Sequence, residues 1–285
     1  MRKVLVVSNY NAGRKQAVMH KKTLHKFLLH NCDSFKFISI DEFNDINLEE
    51  YDVIFATGGD GTVSKVVPSL INTDKTLGII PCGTANLLSA SLGLSMNLKK
   101  TLKIIKKGNT KQIDVININD KYCALRCGFG YDADIICKTP QSLKNKFGYF
   151  AYFIAGILFA LRLKLKNYEL TYDGKDFEYN ASCVIVANSP NMYRNFISVG
   201  KNSKLNDEKF EVFILKTQNP ILFFIEFMRI ILGIKKDNKL AQYFQTNSLS
   251  LKNHWTVCHI DGEKVNLKGN IQINMQNGAI RVFSK

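Results

Sequence analysis

The stretch Asp52-Val53-Ile54-Phe55-Ala56-Thr57-Gly58-Gly59-Asp60-Gly61-Thr62 decides the fold of this chain. Its first half, from Val53 to Ala56, has the β-branched and aromatic content of a buried parallel strand. Apolar residues then recur at helical spacing between Val63 and Ile71. The glycines therefore lie between a strand and a helix, and the stretch predicts one βα unit of a parallel sheet.

Several glycines, a carboxylate and a hydroxyl at the end of a strand are typical of a phosphate-binding loop. Glycine lets the backbone bend and approach a ligand, and the first N–H groups of the following helix point towards an anion. We expect Thr62 to cap this helix. A plain tight turn is the alternative interpretation, because glycine and aspartate are common turn residues.

The surrounding sequence alternates between strand and helix patterns. Strands are expected at residues 3–8, 35–40 and 76–80, and helices at residues 15–29, after residue 84 and at residues 98–107. This alternation predicts a parallel sheet that binds ligands beyond the carboxyl ends of its strands. A second glycine turn, Pro81-Cys82-Gly83-Thr84-Ala85-Asn86, follows the fourth strand. The two glycine turns should therefore line one crevice.

The pattern changes after Gly108, where short strands joined by polar turns replace the alternation. Strands are expected at residues 111–119, 122–127, 168–173, 177–187, 210–215, 249–252, 255–260, 270–275 and 279–283. Such a succession predicts an antiparallel sandwich or barrel. The predicted fold class is α/β, with a Rossmann-like parallel-sheet domain at residues 1–110 and a β-rich domain with a few helices at residues 111–285.

Composition and charge limit the classes of function. Hydrophobic residues make up 46% of the 285 residues, which excludes a disordered chain, and no apolar run is long enough to span a bilayer. Seven cysteines without a CxxC pair argue against a disulfide framework and favour a reducing cytoplasm. The net charge of +15 indicates an anionic partner. Nucleic acid is the weakest candidate, because no zinc-finger spacing, RNP-like motif or basic heptad arm is present.

Two apolar stretches with basic ends, Leu143 to Lys166 and Pro220 to Lys236, have two interpretations. Each could be a core helix packed on the β-rich domain. Each could also be a surface helix that brings the protein to an anionic bilayer, with lysines adding electrostatic attraction. The second interpretation predicts a cytoplasmic protein that associates peripherally with membranes.

Further motifs extend along nearly the whole chain. In order they are Asn9 to Gly13, Gly58 to Thr62, Pro81 to Asn86, Ile113 to Val115, Gly128 to Ala133, Gly148 to Tyr152, Leu205 to Val212 and Asp261 to Glu263. Together they resemble the diacylglycerol kinase catalytic-domain family, bacterial lipid kinases related to sphingosine kinases and, more distantly, to NAD kinases. The Gly58 motif alone is shared with NAD kinases, and its combination with the Pro81 turn and the late Asp-Gly-Glu is specific to the lipid-kinase branch.

The resemblance implies an NAD kinase-like first domain and an ATP- and Mg2+-dependent lipid kinase. The acceptor would be a hydroxyl of a membrane lipid, either diacylglycerol, a sphingoid base or a related lipid, held in the crevice between the domains. Residues expected around the nucleotide are Asn9, Gly13, Gly58, Gly59, Gly61, Thr62, Gly83, Thr84 and Asn86. Asp261 would accept the proton of the acceptor hydroxyl, with Glu263 and Asp60 as further catalytic residues, and Asp207 and Glu211 would hold magnesium. A role in phospholipid biosynthesis and a homodimer are compatible with this assignment.

Three departures from the family pattern keep alternatives open. Tyr10 replaces a proline, Leu87 replaces an aspartate of many diacylglycerol kinases, and Leu205-Asn206-Asp207-Glu208 replaces a Leu-Asp-Asp-Gly metal loop. Leu87 removes one member of an acidic network expected to contain Asp60, Asp114 and Asp261. Leu87 and the altered loop at residues 206–209 favour a non-catalytic lipid or nucleotide sensor as the alternative function. An NAD kinase-like enzyme, which would share the Gly58 loop, is the other alternative.

The motif Gly128-Phe129-Gly130-Tyr131-Asp132-Ala133 also matches the GxGxxA dinucleotide fingerprint. We reject that interpretation, because the motif lies in the β-rich half. The chain about twenty residues further on also has no acid on a second strand that could hold a ribose.

Overall fold

The computed structural model of the chain describes residues 2–10, 16–140, 143, 155–156, 158–188, 191–193, 197–198, 204–252 and 255–285. It divides into two compact units. The first contains Met1–Ile113 and Asn277–Lys285, and the second contains Asp114–Gln276. The sequence analysis assigned all residues after 110 to one domain, whereas the residues from Asn277 onward belong to the first unit.

The first unit is built on a parallel sheet. Its strands are β1 (Lys3–Ser8), β2 (Ser34–Ser39), β3 (Val53–Gly58) and β4 (Thr76–Pro81), and its helices are α1 (Gln16–Leu29), α2 (Asp60–Val66), α3 (Leu87–Ser91) and α4 (Leu98–Lys107), with 3-10 helices at Ile40–Asp45, Leu48–Glu50 and Val67–Leu70. The strand order is β2-β1-β3-β4, and every pair in it is parallel. The predicted parallel sheet is confirmed.

Hydrophobic runs explain why these strands form the centre of the unit. All residues of β3 and β4 are buried, as the uninterrupted apolar pattern of a central parallel strand requires. Leu24 of α1 and Leu102 of α4 pack with Phe55 of β3 in one cluster. Helix α4 begins at the cap Asn97 and ends at Gly108, whose φ of 77° suits the left-handed end of a helix.

The second unit contains two antiparallel sheets, and its strands β5 and β18 begin or end in the first unit. Its elements are β5 (Thr110–Ile118), β6 (Lys121–Cys123), β7 (Arg126–Gly130), α5 (Tyr131–Lys138), β8 (Lys166–Tyr172), β9 (Lys175–Ala181), β10 (Cys183–Ala187), β11 (Asn191–Tyr193), β12 (Ile197–Ser198), β13 (Phe210–Leu215), α6 (Pro220–Ile231), β14 (Ala241–Thr246), β15 (Ser248–Lys252), β16 (Trp255–Ile260), β17 (Glu263–Lys268) and β18 (Ile271–Phe283). One sheet has the order β14-β13-β10-β7-β16-β17, and the other runs β18-β15-β8-β9. Phe129 and Val184 of the former pack with Leu170 and Leu249 of the latter in one core. The predicted antiparallel sandwich is confirmed.

Strand β18 differs from the sequence expectation of two strands at 270–275 and 279–283. Asn277-Gly278 resembles a hairpin turn, but the strand continues through it with Gly278 at a φ of 57°. Before this point Asn274 pairs antiparallel with Ser248 of β15, and after it Arg281 pairs parallel with Thr76 of β4. The change of partner explains why one strand looks like two in the sequence.

Part of the first apolar stretch lies outside the described residues, as do Gly13 and the motif at residues 148–152. Among the described residues, Ala160 and Leu163 are buried in a cluster with Tyr131, whereas Leu158 and Leu161 are exposed. No helix among the described residues is long and apolar enough to cross a membrane.

Gly78 makes room for Phe55 in the first unit and provides a test of this packing. The two residues face each other across β3 and β4, and a Cβ atom on Gly78 would lie 2.1 Å from the Phe55 ring. Gly78→Ala should therefore lower the free energy of unfolding by about 1–3 kcal/mol. Gly61→Ala, where a Cβ atom meets nothing within 4 Å, is the matched control and should not destabilise. Urea unfolding measures both, and equal stability of both variants would contradict the packing described.

Candidate functional site

The two glycine loops begin side by side. Gly58 at the end of β3 pairs with Pro81 at the end of β4. The N–H of Cys82 donates to the carbonyl of Gly58 over 2.8 Å. The loops that follow these strands are therefore neighbours in the first unit, as the parallel pairing predicts.

Glycine is required where these loops touch. A Cβ atom on Gly83 would lie 2.5 Å from the Cα atom of Gly59, so a side chain there would push the two backbones apart. A Cβ atom on Gly58 would lie 2.1 Å from Oγ1 of Thr62. Close backbone approach is the use of glycine expected in a phosphate-binding loop.

Thr62 does not cap α2, so that expectation is wrong. The N-cap is Gly59, whose carbonyl accepts a hydrogen bond from the N–H of Thr62 over 3.0 Å. Thr62 is the third residue of the helix and is buried. Its Oγ1 atom is buried and has no hydrogen-bond partner among the residues that the structure describes.

Asn86 and Asp60 hold the second loop in place. Oδ1 of Asn86 accepts from the N–H of Gly83 over 2.9 Å, and its Nδ2 donates to the Gly83 carbonyl over 2.5 Å. Oδ1 of Asp60 accepts from the N–H of Leu87 over 2.7 Å. Asp60 thus joins the first loop to the start of α3, and this bond uses the backbone of Leu87 rather than its side chain.

The other residues predicted to surround the nucleotide are Asn9, Gly13, Gly61 and Thr84. The N–H of Asn9 donates to the carbonyl of Thr57 over 3.0 Å, which places Asn9 beside the end of β3. Thr84 is exposed in the second loop and Gly61 is exposed in the first. Gly13 cannot be placed because it lies outside the described residues. The structure therefore brings Asn9 and both glycine loops together at one end of the sheet.

Asp261 in the second unit is clamped by backbone donors. Its Oδ1 atom accepts from the N–H groups of Leu125 and Arg126, over 2.9 and 3.0 Å, and from the thiol of Cys123 over 3.1 Å. Its Oδ2 atom accepts from the N–H of Ala124 over 2.8 Å. Consecutive N–H groups form a concave anion-binding nest. These bonds fix the orientation of the carboxylate.

The turn that carries Asp261 is a tight hairpin. Asp261 and Gly262 have φ angles of 49° and 92°, both in the left-handed region that such turns require. Glu263 begins β17 and is exposed. The predicted catalytic residues Asp261 and Glu263 are therefore neighbours at one tip, and Asp60 lies in the other unit.

A buried polar network lies behind this turn. Asp132 is buried and accepts from Nη1 of Arg126 over 3.1 Å, and His259 Nε2 lies 2.6 Å from its Oδ2 atom. Nδ1 of His259 accepts from the N–H of Gly262 over 3.3 Å, so Nε2 carries the proton and donates to Asp132. Burial alone would raise the pKa of Asp132, but Arg126 and His259 lower it to about 2.

This network explains the glycines of the GxGxxA motif. A Cβ atom on Gly128 would lie 2.0 Å from Oδ2 of Asp132 and 2.7 Å from Nε2 of His259. Gly130 has a φ of 69° and lies against the carbonyl of Ser182. Both glycines serve packing within the second unit.

Asp114 anchors the loop at Leu205 to Glu208. The N–H of Asp114 donates to the Leu205 carbonyl over 2.7 Å, and its Oδ2 atom accepts from the N–H of Glu208 over 2.8 Å. Nδ2 of Asn188 donates to the carbonyls of Asp114 and Ala124, over 2.7 and 3.1 Å. Asn188 therefore ties this loop to the backbone that clamps Asp261.

The predicted magnesium ligands differ in their partners. Oδ2 of Asp207 accepts from the N–H of Lys204 over 2.9 Å, whereas Oδ1 is buried and lacks a hydrogen-bond partner in the described part of the chain. Oε1 of the buried Glu211 accepts from Nε2 of Gln245 over 2.8 Å. Across the described ranges, no group of three or more His, Cys, Asp or Glu side chains is arranged to hold a metal.

Sequence reasoning missed Arg126, Asn188 and the pair of Asp132 with His259. Arg126 begins β7 and Asp132 lies in α5, which follows β7 directly, so the contact depends on the turn between strand and helix. His259 pairs with Gly128 across β7 and β16. The one available signal was the pair of glycines at 128 and 130, which marks close packing after a strand.

Comparison with known proteins identifies relatives. Residues 3–118 match the family model of the diacylglycerol kinase catalytic domain. A diacylglycerol kinase of Bacillus subtilis is 33% identical over 64% of this chain and 60% of its own length. One from Staphylococcus aureus is 30% identical over 60% of this chain and 55% of its own length. The matched region of an uncharacterized protein of Synechocystis is 39% identical over 48% of this chain and 31% of that protein. The chain thus spans less than two thirds of these relatives.

Solved structures share the fold over both units. A diacylglycerol kinase from Bacillus anthracis superposes with a TM-score of 0.75 at 20% identity, over 99% of this chain and 97% of that one. A second Bacillus anthracis structure gives a TM-score of 0.84 at 22% identity, over 99% and 95% of the two chains. At this level of identity the likeness concerns the fold.

The low pKa of Asp132 predicts a pH dependence of stability. The pKa of Asp132 is about 2 in the folded chain, whereas the ordinary pKa of an aspartate side chain is 3.8. Ionised Asp132 therefore contributes about 2 kcal/mol of stability above pH 4, and this contribution is lost as the pH falls through 2. Asp132→Asn should lower the free energy of unfolding at pH 7 by at least that amount, and the difference from wild type should shrink between pH 4 and pH 2.

The control for Asp132 is Asp134→Asn, because Asp134 pairs with Lys138 at 2.8 Å on the exposed side of the same helix. Exposed pairs of this kind contribute roughly 0–1 kcal/mol. Urea titrations over the pH range measure both variants. A constant difference between Asp132→Asn and wild type would show that the charge of Asp132 is not responsible.

Proposed function

Because the chain belongs to the diacylglycerol kinase catalytic-domain family, we propose that it is an ATP-dependent lipid kinase. It transfers the γ-phosphate of ATP to a hydroxyl group of a membrane lipid. The observation that carries this proposal is the close backbone approach of Gly59 and Gly83, which brings two glycine loops together at the ends of adjacent strands.

These two loops supply the nucleotide site. Phosphoryl transfer needs little covalent chemistry from the protein and depends on positioning and charge neutralisation. Backbone amides of the loops would bind the phosphates, with Asn9 alongside. Asp60 and Asn86 position the loops through their bonds to Leu87 and Gly83.

In this proposal, Asp261 accepts the proton of the lipid hydroxyl that receives the phosphate. A general base must lie within hydrogen-bond reach of the proton that it accepts. The N–H groups of residues 124–126 fix the orientation of the Asp261 carboxylate, which this role requires. Glu263 adds a second carboxylate at the same tip. Asp132 and His259 support the tip from behind, through the bond between His259 and Gly262.

Magnesium is the proposed metal cofactor. Asp207 suits it, because a buried carboxylate oxygen without a hydrogen-bond partner among the described residues is a ligand for a hard cation. Glu211 suits it less, since Gln245 already donates to its Oε1 atom. An ion at Asp207 would stabilise the loop that Asp114 anchors. A divalent cation bound with the nucleotide would neutralise charge during transfer.

Diacylglycerol is the first acceptor to test, because it is the substrate in the names of the Bacillus subtilis and Staphylococcus aureus relatives. A sphingoid base or another glycerolipid is an alternative within the same chemistry. Leu87 stands where many diacylglycerol kinases have an aspartate, and its apolar side chain is buried, so the other lipids stay in the test.

The proposal predicts transfer of label from γ-labelled ATP to lipid. The protein is incubated with magnesium and each of diacylglycerol, a sphingoid base, a monoacylglycerol and NAD. Label should appear in at least one lipid and not in NAD. Label in NAD alone would indicate an NAD kinase. Absence of transfer, with nucleotide binding established by calorimetry, would favour a non-catalytic sensor.

The same assay tests Asp261. Asp261→Asn should reduce turnover by about a hundredfold or more, as expected for loss of a general base, and leave the nucleotide Kd nearly unchanged. Asp173→Asn is the matched control, because Asp173 occupies a similar Asp-Gly hairpin with a φ of 50° and should retain turnover. Unaltered turnover of Asp261→Asn would remove Asp261 from the mechanism. Melting temperatures separate this effect from misfolding.

The proposed magnesium site predicts a change in thermal stability. Magnesium should raise the melting temperature of the wild type by a few degrees, since an ion that binds the folded chain stabilises it by mass action. Asp207→Asn should abolish this increase, and Asp237→Asn, an exposed aspartate on another loop, should retain it. An equal increase in both variants would mean that magnesium binds elsewhere.

A further inference from the structure

The side chain of Cys123 lies in the core of the second unit. Cys123 ends β6, pairs with Ile116 of β5 and is fully buried in the cluster that contains Phe129 and Val212. A buried cysteine usually behaves as a small apolar residue with a weak S–H donor. The Sγ atom of Cys123 nevertheless has a polar partner, because it lies 3.1 Å from Oδ1 of Asp261. The S–H group therefore reaches the carboxylate that is proposed as the proton acceptor.

The thiol of Cys123 keeps its proton in this setting. Burial raises the pKa of Cys123 well above its ordinary value, and the negative charge of Asp261 raises it further. The thiol is the donor in this contact, because a carboxylate has no hydrogen to give. The contact is therefore a hydrogen bond from a thiol to a charged acceptor, and such bonds are stronger than those between neutral groups.

The donors to Asp261 are distributed unequally over its two oxygen atoms. Oδ2 accepts from the N–H of Ala124. Oδ1 accepts from the N–H groups of Leu125 and Arg126 and from the thiol of Cys123. A carboxylate oxygen offers about two lone-pair sites, and three donors within 3.1 Å occupy those of Oδ1. A proton transferred to this carboxylate would therefore go to Oδ2.

The neighbouring backbone is held so that its N–H groups face Asp261. The carbonyls of Ala124 and Leu125 accept from the side chain and the N–H of Asn188, over 3.1 and 2.8 Å. The carbonyl of Arg126 accepts from the N–H of Asp261 over 2.9 Å. The backbone donors are thus fixed by the fold, whereas the thiol belongs to a side chain and can be removed by substitution.

We propose that Cys123 is a positioning residue for the proton acceptor, because its thiol occupies Oδ1 of Asp261 and so directs the proton to Oδ2. This inference rests on the proposed function. In the transfer step, the O–H bond of the lipid hydroxyl breaks and its proton moves to Oδ2. The hydroxyl oxygen forms a bond to the γ-phosphorus of ATP. The bond from that phosphorus to the β–γ bridging oxygen breaks, so that ADP leaves with the electron pair, and Cys123 keeps its own proton throughout.

Two substitutions at position 123 test the role of the thiol. Cys123→Ala removes the donor and should lower kcat by about tenfold, since a hydrogen bond to a charged group contributes roughly this factor. The KM values for ATP and for the lipid should change by less than about twofold, because a positioning residue acts on the transfer step. Cys123→Ser keeps an O–H donor at the same place and should recover most of the loss.

The matched control for Cys123→Ala is Cys258→Ala. Cys258 is also fully buried in the cluster that contains Cys123, so this substitution removes the same atoms from the same core. Both alanine variants should lose a similar amount of stability in urea unfolding, because each leaves a small cavity. Cys258→Ala should nevertheless keep the turnover of the wild type.

A double variant separates positioning from a general effect on structure. In the Asp261→Asn background the carboxylate is absent, so Cys123→Ala should lower the residual turnover by less than about twofold. A merely structural contribution of Cys123 would lower turnover by the same factor in both backgrounds. Melting temperatures verify that each variant is folded.

Infrared spectroscopy detects the hydrogen bond of the thiol without turnover. The difference spectrum between wild type and Cys123→Ser isolates the S–H stretching band of Cys123. This band should move to higher wavenumber in Asp261→Asn, because a neutral acceptor binds the thiol less strongly than a carboxylate does.

The role of the thiol is rejected by an unmoved band, by a turnover of Cys123→Ala equal to that of Cys258→Ala, or by equal losses in the two Asp261 backgrounds. A wild type whose band moves as expected but which transfers phosphate to no lipid would reject the kinase, and the role of Cys123 with it. An active wild type with an unaffected Cys123→Ala variant would reject the positioning role alone, so the two failures are distinguishable.

Discussion

The contact between the backbones of Gly59 and Gly83 is the constraint on which the first unit depends. Parallel pairing of β3 and β4 brings the loops together, and the absence of side chains lets them touch. The polar side chains near them serve this contact. Asp60 accepts a hydrogen bond from the N–H of Leu87, and Asn86 forms hydrogen bonds with both the N–H and the carbonyl of Gly83. A surface of backbone groups thus results from sheet geometry and is preserved by two side chains.

In the second unit, hydrogen bonds hold two carboxylates at defined positions. Asp132 is buried and relies on charged and polar side chains, Arg126 and His259. Asp261 relies on consecutive backbone N–H groups and one thiol. The two arrangements are joined, because Arg126 contributes its side chain to Asp132 and its backbone to Asp261. A displacement of β7 would therefore disturb both carboxylates together.

Local sequence patterns predicted the elements and the fold class. The apolar run before Gly58 and the cap and glycine at the ends of α4 specify their structures through contacts within a few residues. For the candidate site, the sequence predicted which residues belong to it but not the contacts that each of them makes. The roles of Thr62 and Asn86 depend on which groups approach across the two loops, and the network of Asp132 joins positions 127 residues apart in the chain. The roles assigned to Asp261, Glu263 and the magnesium ligands remain predictions.

Strand β18 has a consequence for the order in which the chain can fold. Its first part pairs with β15 and its last part pairs with β4, so the first unit takes its fifth strand from residues that are translated after the whole second unit. Until this strand is translated, one edge of β4 has no partner strand. An unpaired strand edge can pair with the wrong strand or with another chain. The second unit ends at Gln276, so all of its residues are translated before the strand segment that completes the sheet of the first unit.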